Sequence, residues 1–530
     1  MSIQLDVVII NPYTRTQVYQ SLGTNLSAIE NPIWAGLIAT YCRQSGLHVE
    51  MIDAEALGLL PHEVATQVIY LKPKLVVVVV YGHQPSASTQ VMVGASRVCA
   101  CIKQLRADQP ILILGGHVAA LPERTLSEEH VDYVATGEGV QTIVELVQAL
   151  STPNPDMTKV RGLCLKQDNK IIKTEEVPLL ENLDESLPGI AWDLLPMERY
   201  RSHNWHCLDG TDRHPYAAIY TTLGCPYHCS FCCIQAPFKR PEAALGFRNS
   251  VNSYRYWTPN HIISEIDFLV SKYGVKNLKI ADEMFVLNRR HVLQICDLLI
   301  NRKYNLNIWA YSRLDTIKDG MLPKLREAGF RWLALGIESG DSSVRNGIHK
   351  AFSEETVYRV IEEAQKAGIY VIGNFIFGLP DDTDETMKET LRLAVELNCE
   401  FANFYSAMGY PGSALYYQAL NAGVPLPASW SGYSQHSYDC LPLPTRHIPA
   451  REVLGFRDYA FQYYFNSDRY LNRITSVFGD SARKMISEMI KVPLKRGLLD
   501  GSITVPSVLL PMRSETNNHQ KVGQLNLISN

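Results

Sequence analysis

The sequence predicts an α/β protein with two successive units, a doubly wound parallel sheet followed by a barrel or partial barrel, and a small helical region at the C-terminus. Short apolar segments rich in valine and isoleucine alternate with longer amphipathic segments, first over 1–150 and again over 216–430. Regular alternation of strand and helix predicts parallel sheets covered on both faces. With 530 residues, the chain is long enough for two to four domains.

The first unit, residues 1–150, contains five strand candidates: LDVVIIN, HVEMID, KLVVVVVYG, ILILGG and DYVATGEG. Ligands of such sheets bind outside the carboxyl ends of the strands. A glycine at one strand end could be a simple turn residue. Because several ends carry glycine or polar residues, we expect a binding edge formed by Asn11, Pro12, Gly82, His83, Gly115, Gly116, His117, Gly137, Glu138 and Gly139.

The remaining segments follow in order along the chain. Residues 151–215 are predicted to be a linker with a hairpin around KQDNK. Residues 216–430 hold six strand-plus-helix units, which predict chemistry at the C-terminal strand ends. Residues 431–512 are helical and aromatic, and their aromatic residues could form a substrate-facing cap or, more simply, the core of a helical domain. Residues 513–530 are polar and are expected to be disordered.

Composition and charge exclude several classes of protein. Apolar residues make up 46% of the chain and charged residues 20%, as in an ordinary globular protein. A net charge of −4 gives no support to nucleic-acid binding. Asp6 interrupts the first apolar run, which argues against a signal peptide, and LVVVVV is far shorter than the roughly 20 residues that span a bilayer. We therefore expect a cytoplasmic protein without a transmembrane segment.

Four of the twelve cysteines lie in GCPYHCSFCC, residues 224–233, and three of them have the spacing C-x3-C-x2-C. A structural zinc site commonly uses two distant C-x2-C pairs, and a reducing compartment disfavours disulfides. Three thiolates on one loop instead favour a cubane iron–sulfur cluster with one open iron, held by Cys225, Cys229 and Cys232. His228 or Cys233 could in principle close that iron. Adjacent cysteines point in different directions, so we expect Cys233 to be a packed thiol.

This motif directly after the first barrel strand, with Phe231 before its last cysteine, resembles the radical S-adenosylmethionine (SAM) superfamily. The resemblance implies a partial (β/α)6, TIM-like barrel and a [4Fe–4S] cluster whose open iron binds the amino and carboxylate groups of SAM. It also implies reductive cleavage of SAM to a 5′-deoxyadenosyl radical, with Phe231 at the edge of the SAM pocket. An electron donor such as flavodoxin or ferredoxin would supply the electron.

Further motifs match the same family strand by strand. In ADEMF, Asp282 or Glu283 would accept a hydrogen bond from the SAM amino group, although the family usually has two aspartates. Arg313 would pair with the SAM carboxylate, which suits its fork of donors. GIESGD and GNFIFGLPDDT resemble the ribose and adenine motifs, and YPGSALY the sixth-strand element. These motifs imply SAM contacts at Glu338, Ser339, Gly373 and Gly378, each of which could otherwise be an ion-pair member or a turn residue.

The doubly wound unit before the barrel resembles the cobalamin (B12)-dependent, class B methyltransferase-like branch of the superfamily, over about residues 1–480. GGHVAALPE and DYVATGEG are close to the pattern of its cobalamin-binding, Rossmann-like domain. The signature D-x-H-x-x-G is absent, since the loop after the first strand has no histidine. The resemblance then implies cobalt without a histidine from that loop, although His83 or His117 could approach it.

The expected function is a cobalamin-dependent radical SAM C-methyltransferase acting on an unactivated carbon of a small-molecule, lipid or natural-product substrate. A radical oxidation, cyclisation or ring rearrangement without methyl transfer requires the same ligands and is the alternative. A third hypothesis is a non-catalytic cobalamin or iron–sulfur sensor, which predicts no turnover of SAM.

Overall fold

The computed structural model describes residues 4–238 and 253–512. Its N-terminal unit is a seven-stranded sheet of order β2-β1-β3-β4-β5-β6-β7. The strands are β1 Val7–Asn11, β2 Val49–Asp53, β3 Leu75–Val79, β4 Ile111–Leu114, β5 Tyr133–Ala135, β6 Leu163–Gln167 and β7 Lys170–Lys173. The first five pair in parallel, as predicted.

Helices cover both faces of this sheet because successive strand residues face opposite sides. In β1, Val7 and Ile9 belong to one hydrophobic cluster, and Val8 and Ile10 to the other. The helices are Arg15–Tyr19, Leu22–Asn25, Ile33–Gln44, Ala54–Leu57, Pro61–Leu71, Ala87–Leu105, Gly116–Ala120, Pro122–Glu128 and Val140–Leu150.

The hairpin predicted around KQDNK is formed by β6 and β7, and it extends the N-terminal sheet. Its turn residues Asp168 and Asn169 have φ of 49° and 61°, the left-handed conformation that a tight two-residue hairpin needs. β6 then pairs antiparallel with β5 and covers what would otherwise be a free edge.

The second unit is an open barrel, as the family resemblance implied. Its six parallel strands have the order β15-β14-β13-β12-β11-β8, and its two ends are not paired with each other. The strands are β8 Tyr216–Ile219, β11 Asn277–Ile280, β12 Asn307–Arg313, β13 Phe330–Glu338, β14 Tyr370–Phe377 and β15 Phe401–Ser406, and the pair β9 Thr222–Leu223 and β10 Arg255–Tyr256 lies beside the first strand.

The helix Leu183–Ser186 lies in the segment between the two units. The helices of the second unit are Pro259–Tyr273, Arg289–Arg302, Met321–Glu327, Ser342–Gly347, Glu354–Lys366, Asp384–Leu397 and Ala414–Asn421. The C-terminal region adds Ala450–Phe465, Asp468–Phe478, Asp480–Ile490 and Gly497–Asp500. Within the described ranges, no helix combines the length and apolarity that crossing a bilayer requires.

The segment between the two units closes the N-terminal end of the barrel. The short 3-10 helix Asn204–Cys207 places the Trp205 ring 5.1 Å from Trp309, 5.6 Å from Trp332 and 6.0 Å from Phe401. These partners lie at or near the starts of their strands, so the opposite, C-terminal end is the mouth available for chemistry.

Some of the C-terminal aromatic residues form core, whereas Tyr459 and Tyr463 are exposed. Tyr464 and Phe465 are buried on the helix Ala450–Phe465, and Tyr464 donates a hydrogen bond of 2.8 Å to the carbonyl of Cys399. The ring of Tyr464 meets Phe404 of β15 edge-on at 5.5 Å. Residues 513–530, expected to be disordered, lie outside the described residues.

Candidate active site

The cysteine loop leaves the barrel through the short strand β9 and is held by buried polar contacts. It begins at Gly224, whose φ of 78° and contact with the backbone of Ser253 leave no room for a side chain. Gln235 donates hydrogen bonds to the carbonyls of Cys225 and Tyr227, at 2.5 and 3.2 Å. The Ser253 hydroxyl donates a hydrogen bond of 3.0 Å to the side-chain amide oxygen of Gln235. Gln235 therefore fixes the shape of the loop from inside.

The three motif thiols are largely withdrawn from solvent. Burial raises the pKa of Cys225 to about 12, raises that of Cys229, and raises that of Cys232 well above its usual value. Without a metal these thiols stay protonated, and metal binding would displace their protons. All twelve cysteines are free thiols. Within residues 4–238 and 253–512, no group of three or more His, Cys, Asp or Glu side chains could hold a single metal ion; a cubane takes one thiolate per iron.

Arg313, the last residue of β12, brings positive charge to the cysteine loop. Its Nη1 lies 3.6 Å from Cys229 Sγ, and its guanidinium lies 4.1 Å from the Tyr227 ring centroid. Asp315 holds it through bonds of 2.9 and 2.8 Å to Nε and Nη2. A guanidinium is a good hydrogen-bond donor to a thiolate, and a cysteine that binds a cluster is a thiolate.

The two carboxylates after β11 have different surroundings. Asp282 is fully buried and accepts a 2.6 Å hydrogen bond from the Thr221 N–H, and another from the Thr221 hydroxyl. Burial nevertheless raises its pKa to about 6. Glu283 Oε2 is buried without a partner among the described residues, and burial raises the pKa of this side chain to about 8. Glu283 is therefore the carboxylate with an oxygen left for a ligand.

Glu338 is the last residue of β13 and has an unusual backbone conformation, and Ser339 follows it. Glu338 has φ of 66°, which a non-glycine residue rarely adopts. Its carboxylate pairs with Lys350, and both side chains are buried. Burial has the largest effect on the pKa of Cys229. Of the two charges, Lys350 lowers this pKa and Glu338 raises it. Ser339 is buried, and its hydroxyl lies 3.1 Å from the Thr390 hydroxyl.

Three further residues expected near SAM are closely packed. A Cβ at Gly373 would overlap the Phe375 ring, and one at Gly378, where φ is 79°, would overlap Val453. Phe231 packs against two small hydrophobic clusters near the mouth of the barrel.

Several residues predicted at the cobalamin edge are engaged within the protein. Asn11 donates a 2.8 Å hydrogen bond to Asp53, and Pro12 is buried beside it. Glu138 pairs with Arg255 at 2.8 Å. His83 lies 2.7 Å from the Asn31 carbonyl and 3.2 Å from a carboxylate oxygen of Glu30.

His117 is buried against the Trp430 ring, and burial lowers its pKa to about 3. Its Nδ1 lies 3.1 Å from the Thr89 hydroxyl. Gly115 and Gly139 have φ of 141° and 88°, so both backbone positions favour glycine.

The remaining glycines of this edge face the barrel across a cleft. A Cβ at Gly116 or Gly137 would come within 4.0 and 3.9 Å of Pro237, which follows the cysteine loop. Residues from both units line the cleft, and they include Trp34, Tyr81, Gly82, Ser88, Gly116, Leu223, Cys233 and Glu283. Trp34 and Tyr81 stack at 4.5 Å on one wall. Cys233 is thus buried, as expected, but lines the junction between the units.

Lys350, Asp315, Gln235 and Thr221 were missed at the sequence level, although each contacts a predicted site residue. Asp315, two positions after Arg313, could have been found as a nearby acidic partner. The other three depend on contacts that only the folded chain creates.

Comparison with known proteins agrees with this geometry. A family model for the radical SAM superfamily matches residues 219–394, and one for the B12 binding domain matches residues 19–147. An uncharacterized methyltransferase from Pyrococcus horikoshii is 27% identical over 81% of this chain and 86% of its own. An anaerobic magnesium-protoporphyrin IX monomethyl ester cyclase from Rubrivivax gelatinosus is 27% identical over 75% of this chain and 68% of its own.

Two solved structures share the fold. The radical SAM methyltransferase TsrM from Kitasatospora setae has a TM-score of 0.59 and 17% identity, over 82% of this chain and 83% of its own. The cobalamin-dependent enzyme OxsB has a TM-score of 0.57 and 16% identity, over 79% of this chain and 55% of its own.

Proposed function

The chain is a cobalamin-dependent member of the radical SAM superfamily, and we propose that it is a C-methyltransferase acting on an unactivated carbon of a small-molecule, lipid or natural-product substrate. Its cofactors are a [4Fe–4S] cluster, SAM and cobalamin. Relatives named as methyltransferases or methylases support methyl transfer, among them bacteriochlorophyllide d C-8(2)-methyltransferase from Chlorobaculum tepidum, 25% identical over 51% of this chain and 60% of its own.

One observation carries the proposal: the cysteine loop and the glycine edge of the N-terminal sheet border the same cleft. Gly82 and Gly116 from the sheet and Cys233 from the loop all line it. A carbon that first loses a hydrogen atom and then gains a methyl group must be reached from both cofactor sites without leaving the protein. Reacting atoms need to come within about 3–3.5 Å, so a shared cleft fits this chemistry.

The residues described above fit the cofactors. When bound, the cluster supplies the electron that cleaves SAM to a 5′-deoxyadenosyl radical, and cobalamin carries the methyl group. Cys225, Cys229 and Cys232 would hold the cluster, and Arg313 would offer its remaining donor capacity to the SAM carboxylate. Glu283 would accept a hydrogen bond from the SAM amino group through its unpartnered oxygen.

For cobalamin, Gly116 and Gly137 would form the surface that the cofactor approaches, because neither residue has a side chain. Gly82 would lie beside them, packed against Ala87. We propose that no histidine ligates cobalt. His83 is held between Asn31 and Glu30, and His117 is buried against Trp430. The electron paramagnetic resonance spectrum of bound cob(II)alamin tests this point, since nitrogen coupling from a histidine would contradict it.

The proposal is tested with SAM carrying a deuterated methyl group. The anaerobically reconstituted protein is incubated with this SAM, a reductant and a small-molecule extract of cells that make the protein. We expect one compound to gain the mass of a labelled methyl group, and we expect Cys229→Ala to abolish that gain. Consumption of SAM without any labelled product would contradict methyl transfer.

Cyclisation or oxidation is the second candidate, because the cyclase of Rubrivivax gelatinosus covers 75% of this chain. It requires the same cluster, SAM and cobalamin residues. In the labelling experiment it would give an unlabelled product that differs from its substrate in hydrogen or oxygen count.

We further propose a cytoplasmic location, supported by twelve free thiols, which suit a reducing compartment. A flavodoxin or ferredoxin would supply electrons to the cluster. Residues 1–150, with the hairpin β6–β7, would act as the cobalamin-binding domain, residues 216–430 as the radical SAM barrel, and 431–512 as its helical support.

A further inference from the structure

The inner face of the barrel carries partly accessible polar side chains near its mouth. Strand registry places Asn374 beside Asn403, with Tyr405 two residues after Asn403 on the same face, while the buried Lys350–Glu338 pair covers the neighbouring position Gly336. Asn403 and Tyr405 keep part of their accessible surface, whereas Phe404 and Ser406, which point outward, are buried. Residues that face inward yet remain accessible border an internal space.

The same space reaches both cofactor sites. Tyr311 of β12 points inward two residues before Arg313, which contacts Cys229. The Tyr311 hydroxyl accepts a hydrogen bond from Gln84, two residues after Gly82 of the cleft between the units. A group bound beside Tyr311 would therefore lie between the cluster loop and the cobalamin edge.

The N-terminal unit supplies the other wall. Burial raises the pKa of Tyr311, and Tyr405 and, more weakly, Glu30 and Tyr19 add to the rise, so these groups lie near one another. The pKa of Tyr405 is raised by burial, then by Glu338 and Tyr19. We call this space the inner chamber and define it by Tyr19, Gln84, Tyr311, Asn374, Asn403 and Tyr405.

The inner chamber offers hydrogen-bond donors. Within residues 4–238 and 253–512, neither the Tyr19 nor the Tyr405 hydroxyl has a hydrogen-bond partner, while Asn403 is already paired with Asn374 at 2.9 Å. Burial raises the pKa of Tyr19 to about 12. Both phenols therefore stay protonated at neutral pH and can donate to an acceptor oxygen.

Charged groups around the inner chamber are already paired. Glu30 lies 2.9 Å from Lys279 and accepts a 2.8 Å hydrogen bond from the Tyr216 hydroxyl. Glu338 is paired with Lys350. Arg457, whose charge lowers the pKa of Tyr405, is paired with Asp458 at 2.7 Å. A buried ligand charge would have to be compensated by an opposite charge. Since these charges are committed to one another, a carboxylate or phosphate in the chamber would be left without a counter-ion.

We propose that the inner chamber binds the substrate, and that the substrate group it takes is a flat, uncharged ring system bearing a carbonyl oxygen, which accepts hydrogen bonds from Tyr19 and Tyr405. The aromatic walls favour a flat ring, and the phenols favour an acceptor oxygen. This inference rests on the proposed function only in taking the bound molecule to be the substrate.

Binding of three matched probes tests the proposal without turnover. The reconstituted protein with cobalamin and SAM is titrated with 2-acetylnaphthalene, 2-ethylnaphthalene and 2-naphthoate, and binding is followed by saturation-transfer difference NMR. We expect the uncharged ketone to bind roughly tenfold more tightly than the hydrocarbon or the carboxylate, about the effect of one or two hydrogen bonds. Equal or tighter binding of 2-naphthoate, or no binding of any probe, would overturn the proposal.

Variants locate the probe. Tyr405→Phe and Tyr19→Phe should each weaken ketone binding by roughly threefold, towards the value of the hydrocarbon, because one donor is lost and the ring remains. The matched control is Tyr459→Phe, an exposed tyrosine on the helix Ala450–Phe465, which should change nothing. Affinity for SAM should stay unchanged in all three variants.

Weaker SAM binding in Tyr405→Phe or Tyr19→Phe would assign the chamber to the cofactor and overturn the substrate proposal. Unchanged ketone binding in both variants would also overturn it. The protein could bind the ketone as expected and still give no labelled product in the methyl-labelling experiment. That result would refute the proposed reaction and leave the substrate proposal standing.

Discussion

Glu138 was expected to contact cobalamin, but its geometry predicts that its main effect is on stability. It pairs with Arg255 through bonds of 2.8 and 3.1 Å, and the two side chains are only 5% and 10% exposed. Arg255 also donates to the Leu180 carbonyl at 2.7 Å. The pair ties the end of the N-terminal sheet to β10 beside the barrel.

Replacing one partner leaves a buried charge without its counterpart. Arg255→Met leaves the Glu138 carboxylate with a 3.2 Å hydrogen bond from the Leu180 N–H. Breaking a buried pair in this way costs about 3–5 kcal/mol. Glu138→Gln should cost about as much, because the guanidinium then lacks a counter-charge. The double variant should lose clearly less than the sum, since no unpaired charge remains.

Urea unfolding followed by far-UV circular dichroism measures these changes. With an m-value near the upper end of about 1–3 kcal/mol per M, each single variant should lower the midpoint of the first transition by about 1 M or more. The control is Asp267→Asn, which breaks a two-pronged pair with Arg302 whose side chains are 32% and 39% exposed. That variant should lose less than about 1 kcal/mol. If each single variant loses no more stability than this control, or if the two losses add up exactly in the double variant, the Glu138–Arg255 pair does not have this role.

Three further predictions follow from the site. Burial raises the pKa of Glu283 from 4.5 to about 8, so the folded protein keeps a proton that the unfolded chain releases, and stability falls as pH rises between these values. Glu283→Gln should remove the loss of stability that comes from this group. The melting temperature of the variant minus that of wild type, both without cofactors, should therefore be larger at about pH 9 than at about pH 6. An equal difference at the two pH values would contradict this prediction. Cys232→Ala should abolish the absorbance of the reconstituted cluster and Cys233→Ala should preserve it, and loss in both would refute the three-cysteine assignment. Gly378→Ala should lower the free energy of unfolding by about 3 kcal/mol, because φ is 79° and the added Cβ would overlap Val453. Gly501→Ala should lower it by about 1 kcal/mol, because φ is 85° but no atom lies within 4 Å. Equal melting temperatures of the two variants would contradict this prediction.

The sequence suffices for features that depend on local pattern. The strands are recognisable because their residues face apolar surroundings on both sides, as Val7 and Val8 do. The cysteine loop is recognisable because its three motif thiols are close together in the sequence. The six strands of the barrel follow from the count of strand-plus-helix units, and the family resemblance implied that the barrel is partial.

Features that depend on distant contacts could not be predicted. Glu138 follows a strand, as a cofactor-binding residue would, but its partner Arg255 lies 117 residues further on. Asp282 and Glu283 differ because Thr221, which lies far away in the sequence, donates hydrogen bonds to Asp282 and not to Glu283. Glu338 pairs with Lys350 and has a backbone φ of 66°. No sequence pattern predicts either feature.

The hairpin predicted around KQDNK is present as β6 and β7. Its pairing with β5 could not be predicted, because that contact depends on where the N-terminal sheet ends. Trp205, also within 151–215, closes the base of the barrel. Neither role is visible before the two units are in place.

We propose that the two cofactor sites act on one substrate across one cleft. A count of SAM-derived products tests this, in an anaerobic reaction with the substrate identified by methyl labelling. We expect one S-adenosylhomocysteine and one 5′-deoxyadenosine for each methylated product. Formation of 5′-deoxyadenosine without S-adenosylhomocysteine would contradict it.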